Sequence, residues 1–96
     1  MEVLHYGYGD VLLQLDDHVL EVFHRRSEGA RVPLLWACVN LSPHKRDLIR
    51  VTIGTATDPE APFYGPAPAY NRFDVPIIEE PRLRRFLDEA AHRAGR

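Results

Sequence analysis

Between residues 11 and 53 apolar side chains recur at every second position, and only after Pro81 does the spacing become that of a helix. A period of two puts alternate side chains on opposite faces of an extended chain. One face can then be buried while the other stays in water, provided that the strands pair. Val11, Leu13 and Leu15 share a face of one strand. Asp16-Asp17-His18 supplies the turn, because aspartate tolerates turn geometry and bonds nearby amides. The return strand, residues 19–25, sets Leu20, Val22 and His24 on one face and Val19, Glu21 and Phe23 on the other, and Ser27-Glu28-Gly29 turns the chain again. Residues 32–41 form a third apolar run containing Trp36 and Cys38, broken at Ser42-Pro43-His44-Lys45-Arg46. Residues 48–55 place Ile49, Val51 and Ile53 together. Residues 73–78 read as a last strand and residues 2–6 as a short first one, ending where Tyr6-Gly7-Tyr8-Gly9 bends the chain.

From Pro81 the period is 3.6. Leu83, Phe86, Leu87, Ala90, Ala91 and Ala94 fall on one face, with Arg82, Arg85, Asp88, Glu89 and Arg93 opposite. Proline suits the first helical turn, Glu79 and Glu80 complement the helix dipole there, and Gly95 supplies a stop. The helix spans about residues 81–94. Residues 57–72 hold four of the eight prolines, and proline fixes φ and removes an amide donor, so this stretch reads as a long loop or edge segment. The expected fold is α+β, mainly β, in one domain over residues 1–96. It is an antiparallel barrel or bent sheet of six or seven strands, capped by one C-terminal helix. Leu83, Phe86 and Leu87 are expected to be buried against Val22, Trp36, Val51 and Ile53.

Composition narrows the function classes. Hydrophobic residues make up 45% and charged residues 27%, which is the balance of a chain with a core and argues against wholesale disorder. A formal net charge of −2 gives no general attraction to phosphate backbones or anionic lipids. Cys38 is the one cysteine, so no intramolecular disulfide forms. The opening Met-Glu-Val-Leu-His-Tyr has neither the basic start nor the apolar core of a secretory leader, and no apolar run reaches the length of a membrane span. The expected location is the cytoplasm.

No residue set carries recognisable catalytic chemistry. His5, His18, His24, His44 and His92 are scattered without the spacings that ligate zinc. His18 beside Asp16 and Asp17 reads as a solvated turn, and His24 shares a strand face with Leu20 and Val22. Cys38, amid Leu, Trp, Ala and Val, reads as a small core residue, because a reactive thiol needs access and a lowered pKa. There is no nucleophile elbow and no phosphate loop. The carboxylate pairs at 16–17, 79–80 and 88–89 are sequence neighbours suited to a turn and to a helix, not to opposed acid–base work. The chain is therefore expected not to be an enzyme and to need no cofactor or metal.

The pattern of strands followed by one terminal amphipathic helix is similar to the pleckstrin-homology-like barrel, over most of the chain from about Gly9 to Ala94. The opening hairpin Val11-Leu-Leu-Gln-Leu-Asp-Asp-His-Val-Leu-Glu-Val-Phe resembles the first two strands of such domains. Arg31-Val-Pro-Leu-Leu resembles the next strand of bacterial members. Phe73-Asp-Val-Pro, followed by Leu83-Arg-Arg-Phe86, resembles the last strand and a helix whose aromatic residue plugs the barrel. Lipid-binding members carry a basic motif around the first hairpin. Here the matching turn is Asp16-Asp17-His18, which would repel an inositol phosphate, and Arg25 and Arg26 lie at the far end of the second strand. The resemblance therefore implies the protein-binding or scaffolding use of that fold.

Two surface regions fit such a role. One is the basic tip Pro43-His44-Lys45-Arg46. The other is the proline loop with Phe63, Tyr64, Tyr70 and Phe73, where aromatics on a stiffened segment give contact area at low entropic cost. Phe63, Tyr64, Tyr70, Lys45 and Arg46 are the candidate partner-binding residues, with Tyr64 expected to be the most exposed, while Phe63 and Phe73 could instead fold back to cap the core. The expected function is a non-catalytic protein-binding or scaffolding module whose partner is a protein, either a second copy or a different chain. One rival is a lipid- or nucleic-acid-binding barrel using Lys45, Arg46, Arg50, Arg82, Arg84 and Arg85. Another is a small enzyme or ligand carrier with a site in the barrel mouth, marked by a polar cavity holding His24 or Cys38.

Overall fold

The computed structural model describes residues 2–58, 60–67 and 71–95. Seven antiparallel strands form two sheets, followed by one helix. The first sheet runs β1 (Leu4–Tyr8), β2 (Val11–Leu15), β3 (Val19–His24) and β4 (Ala30–Pro33) in sequence order. The second runs β5 (Ala37–His44), β6 (Leu48–Thr55) and β7 (Asn71–Pro76). Helix α1 is Glu80–Arg93, close to the span read from its period. The strand count agrees with expectation, but the sheets do not close into one barrel: among the described residues no strand of the first pairs with a strand of the second.

The strand faces follow the alternation. Tyr6, Leu13 and Val22 lie across from one another on the inner face of the first sheet. Val39, Ile53 and Asn71 do the same in the second, as do Leu41, Val51 and Phe73. These rows meet Leu83, Phe86, Leu87 and Ala90 in a single cluster. The turn at Asp16 forms as its chemistry dictates, the carboxylate accepting the His18 and Val19 N–H groups at 2.7 Å each. Those two bonds hold the Asp16 carboxyl below the usual carboxylate range.

Three expectations are corrected. Residues 32–41 are not one strand: the chain leaves β4 at Pro33 and makes a 3-10 turn, Leu34–Trp36, before entering β5. Pro33 cannot donate to a continuing ladder, and the short turn carries the chain from one sheet to the other. Trp36 is consequently 39% exposed instead of lying in the core, and Leu34 is buried in its place. The first strand, expected over residues 2–6, runs two residues further, and the bend falls at the end of the expected Tyr6–Gly9 segment. β1 runs through Gly7 and Tyr8, and Gly9 turns at φ 58°. The break expected at residues 42–46 is also displaced. β5 continues to His44, and Lys45 takes the left-handed turn position at φ 57°.

The last strand ends at Pro76, so Ile77 and Ile78 stand in a second 3-10 turn, Ile77–Glu79, 56% and 82% exposed. Helix α1 lies along β1. The Tyr6 hydroxyl donates to Glu79 Oε1 at 2.9 Å, and Arg82 caps the contact, its guanidinium 4.2 Å from the Tyr6 ring centre and 2.8 Å from the Gly7 carbonyl oxygen. At the other end Arg93 bonds Glu89 at 3.1 Å and the Glu2 carbonyl at 2.7 Å, and lies 3.5 Å from Asp17. The helix is thus tied at both ends to the first sheet.

Candidate partner-binding groove

The hydrogen-bond phase of the second sheet decides which backbone groups remain available. The Val39 N–H donates to the Phe63 carbonyl at 2.7 Å, and its own carbonyl accepts the Gly65 N–H at 3.0 Å. Phe63-Tyr64-Gly65 therefore lies on the outer edge of β5 as a short parallel partner, with Tyr64 opposite Val39. The expected loop is, over these three residues, an edge segment. Antiparallel pairs alternate between bonded and non-bonded positions. If Val39 points away from β6, so do Leu41 and Pro43. Past Gly65 no backbone bond continues this pairing among the described residues, and Pro43 has no N–H to offer from β5. Between them the Leu41 N–H and C=O face outward without a backbone partner among the described residues.

Two hollows of about 250 Å³ each flank this position, and both have Leu41 and Arg84 in their walls. One is bounded by Val39, Asn40, Tyr64 and Gly65. The other reaches Ser42, Pro43, Lys45, Arg46, Leu48, Ile49, Ile77 and Glu80. Together they form a groove between the β5 edge and the N-terminal half of α1. The second hollow has Leu41, Leu48, Ile49 and Ile77 in its walls. Its rim carries Lys45, Arg46 and Arg84 against one carboxylate, Glu80, which lies 3.7 Å from Arg84.

Tyr64 closes one end. Its hydroxyl donates to Asp88 Oδ1 at 2.5 Å, the Arg84 guanidinium stands 5.5 Å from its ring centre, and its ring meets Phe63 edge-on at 5.2 Å. Burial, and then the acceptor carboxylate, pushes the Tyr64 hydroxyl above the usual tyrosine range. The same causes act on Tyr6, with Glu79 as its acceptor. A pKa raised on folding means that the fold favours the protonated form. That contribution is complete below the unfolded value of about 10 and is lost as pH rises past it. Unfolding midpoints in urea are expected to fall above about pH 10, and less steeply in a Tyr6→Phe, Tyr64→Phe double variant. An unchanged slope in that variant would exclude these two hydroxyls as the cause.

The five candidate residues separate. Phe63 is 3% exposed and belongs to the core, the capping alternative read for it. Tyr64 is half-buried, held against α1 instead of standing free. Tyr70 lies outside the described residues. Lys45 and Arg46 are exposed at the β5–β6 turn and share the groove with Arg84. Arg84 thus links the basic tip to the aromatic loop, two regions that stand apart in the sequence. Leu41 and Ile77 were not anticipated. Pro43 was the available signal, since it removes a donor at the β5 edge.

Of the basic residues of the lipid or nucleic-acid rival, Lys45, Arg46 and Arg84 share this groove. Arg50 stands on the outer face of the second sheet, 3.1 Å from Asp74 and 2.9 Å from His44 Nε2, and Arg82 is committed to Glu79. Cys38 is buried at 1% exposure, and side chains of both sheets and of the helix meet in one core cluster. No helix among the described residues is long and apolar enough to cross a membrane. The chain matches no family model, no curated protein and no solved structure.

Proposed function

We propose that this chain is a non-catalytic protein-binding module of the pleckstrin-homology-like kind, its two sheets and helix being a splayed form of that barrel. It takes an extended segment of a partner protein into the groove between β5 and α1. The observation that carries this reading is the open Leu41 amide and carbonyl, one pairing position beyond the site where Phe63-Tyr64-Gly65 already lies against β5. The bridge of the chain's own segment to Val39 supports this mode of docking, and strand addition to an exposed edge is a recurrent form of peptide recognition. Backbone bonds give such a complex its affinity, and the flanking hollows select side chains. The three cations on the rim favour a segment bearing Asp or Glu beside its apolar anchor.

A library of short randomised peptides tests this. Selection on the wild type is expected to enrich extended sequences containing an acidic residue. Leu41→Pro, which removes the outward N–H and no sheet bond, is expected to weaken the selected peptides roughly tenfold or more, the effect of losing a bond that leaves the peptide acceptor unpaired. Arg84→Glu, on an exposed position of α1, is expected to do the same and to shift any remaining selection toward Lys and Arg. Failure to enrich any sequence would overturn the proposal, as would equal binding by Arg84→Glu and the wild type. The second variant decides the matter if Leu41→Pro does not fold.

A further inference from the structure

The phase that frees Leu41 on one edge of the second sheet also determines what the opposite edge presents. Val39 and Ile53 form a non-bonded pair, so the bonding groups of Ile53, Val51 and Ile49 point toward β7. Those of Asn71, Phe73 and Val75 point back to them. The N–H and C=O groups of Arg72 and Asp74 therefore face outward from β7, with no backbone partner among the described residues. The remaining edges are blunted. β1 has α1 beside it, β4 has four residues and ends in proline, and β5 carries the Phe63-Tyr64-Gly65 segment and Pro43. In β7 the only proline is Pro76, at its end.

We propose that β7 pairs antiparallel with β7 of a second copy about a two-fold axis at Phe73, joining two three-stranded sheets into one of six strands. In this register Arg72 of each copy stands directly opposite Asp74 of the other, on the same outer face. The two positions that exchange backbone bonds are the same two that carry the charges, and the pattern is self-complementary, as a two-fold interface requires. Arg72 is exposed and has no ion-pair partner among the described residues, so its charge is available. Arg50 of the same copy bonds both carboxylate oxygens of Asp74, Oδ1 at 3.1 Å and Oδ2 at 3.4 Å, and each oxygen keeps a second lone pair with which to accept from the incoming arginine. The pairing does not depend on the groove at β5, and it would place two such grooves on one assembly.

Light scattering on the full chain over a roughly hundredfold concentration range, together with hydrogen exchange at its upper end, tests the pairing by mass action. The wild type is expected to pass from monomer to dimer, with exchange at the Arg72 and Asp74 amides slowing as it does. Arg72→Asp sets two carboxylates opposite each other in both charge pairs and is expected to weaken the dimer roughly tenfold or more. A wild type that is monomeric throughout would overturn the proposal. So would a dimer that Arg72→Asp leaves unchanged, or one in which those two amides exchange at the monomer's rate. Circular dichroism of Arg72→Asp establishes that the variant is folded.

Discussion

Phe86→Ala is expected to lower the free energy of unfolding by about 3–5 kcal/mol, the largest loss available from one side chain on α1. Phe86 is 6% exposed, and its ring lies 6.3 Å from that of Tyr6 at an angle of 48°, at the contact between helix and first sheet. Leu83 and Leu87 beside it are completely buried, so they cannot move into the space without uncovering positions of their own. The loss is therefore both the transfer of an aromatic ring and the cavity left behind. A domain of this size has about 5–15 kcal/mol in total, so the variant should unfold at a much lower urea concentration with an unchanged m-value. A loss under about 1 kcal/mol would mean that the helix is not seated on the sheet through this residue.

Gly29→Ala is expected to destabilise by about 1–3 kcal/mol or more, although the residue is exposed. A Cβ at this position would lie 2.1 Å from the Val22 carbonyl oxygen and 3.3 Å from its carbonyl carbon. Both obstacles are backbone atoms in the β3–β4 pair, so no rotamer change relieves the contact and the hairpin must open. Gly9 makes the contrast. It turns at φ 58° with nothing within 4 Å of where a Cβ would stand, so Gly9→Ala should cost only the left-handed penalty of about 1–2 kcal/mol. Urea unfolding of the two variants side by side checks the contrast. Gly29→Ala at wild-type stability would refute it.

Much of the fold was legible because its determinants are local. Alternation placed Leu13, Leu20, Val51 and Ile53 on buried faces, and a 3.6-residue period placed Leu83, Phe86 and Leu87 on the inner stripe of the helix. The turn at Asp16 followed from a carboxylate that bonds the next amides. Trp36 was misplaced for an equally physical reason. An apolar run bounded by a turn reads as one strand whether or not the chain changes sheet within it, and only the tertiary arrangement takes Leu34 inward and leaves Trp36 at the surface.

The candidate site was legible only in pieces. Residue type marked Tyr64, Lys45 and Arg46 as binding chemistry, and the prolines marked the edges. Which edge groups stay unpaired depends on the parity of the β5–β6 ladder and on a loop segment that returns to Val39 from far along the sequence. That Arg84 connects the aromatic loop to the basic tip depends on where α1 comes to rest. Periodicity and turn chemistry act between neighbours and are written in the sequence itself. Strand phase, sheet division and the meeting of helix and edge are set by long-range packing, and these alone decided that the backbone groups of Leu41, Arg72 and Asp74 face outward from the sheet edges.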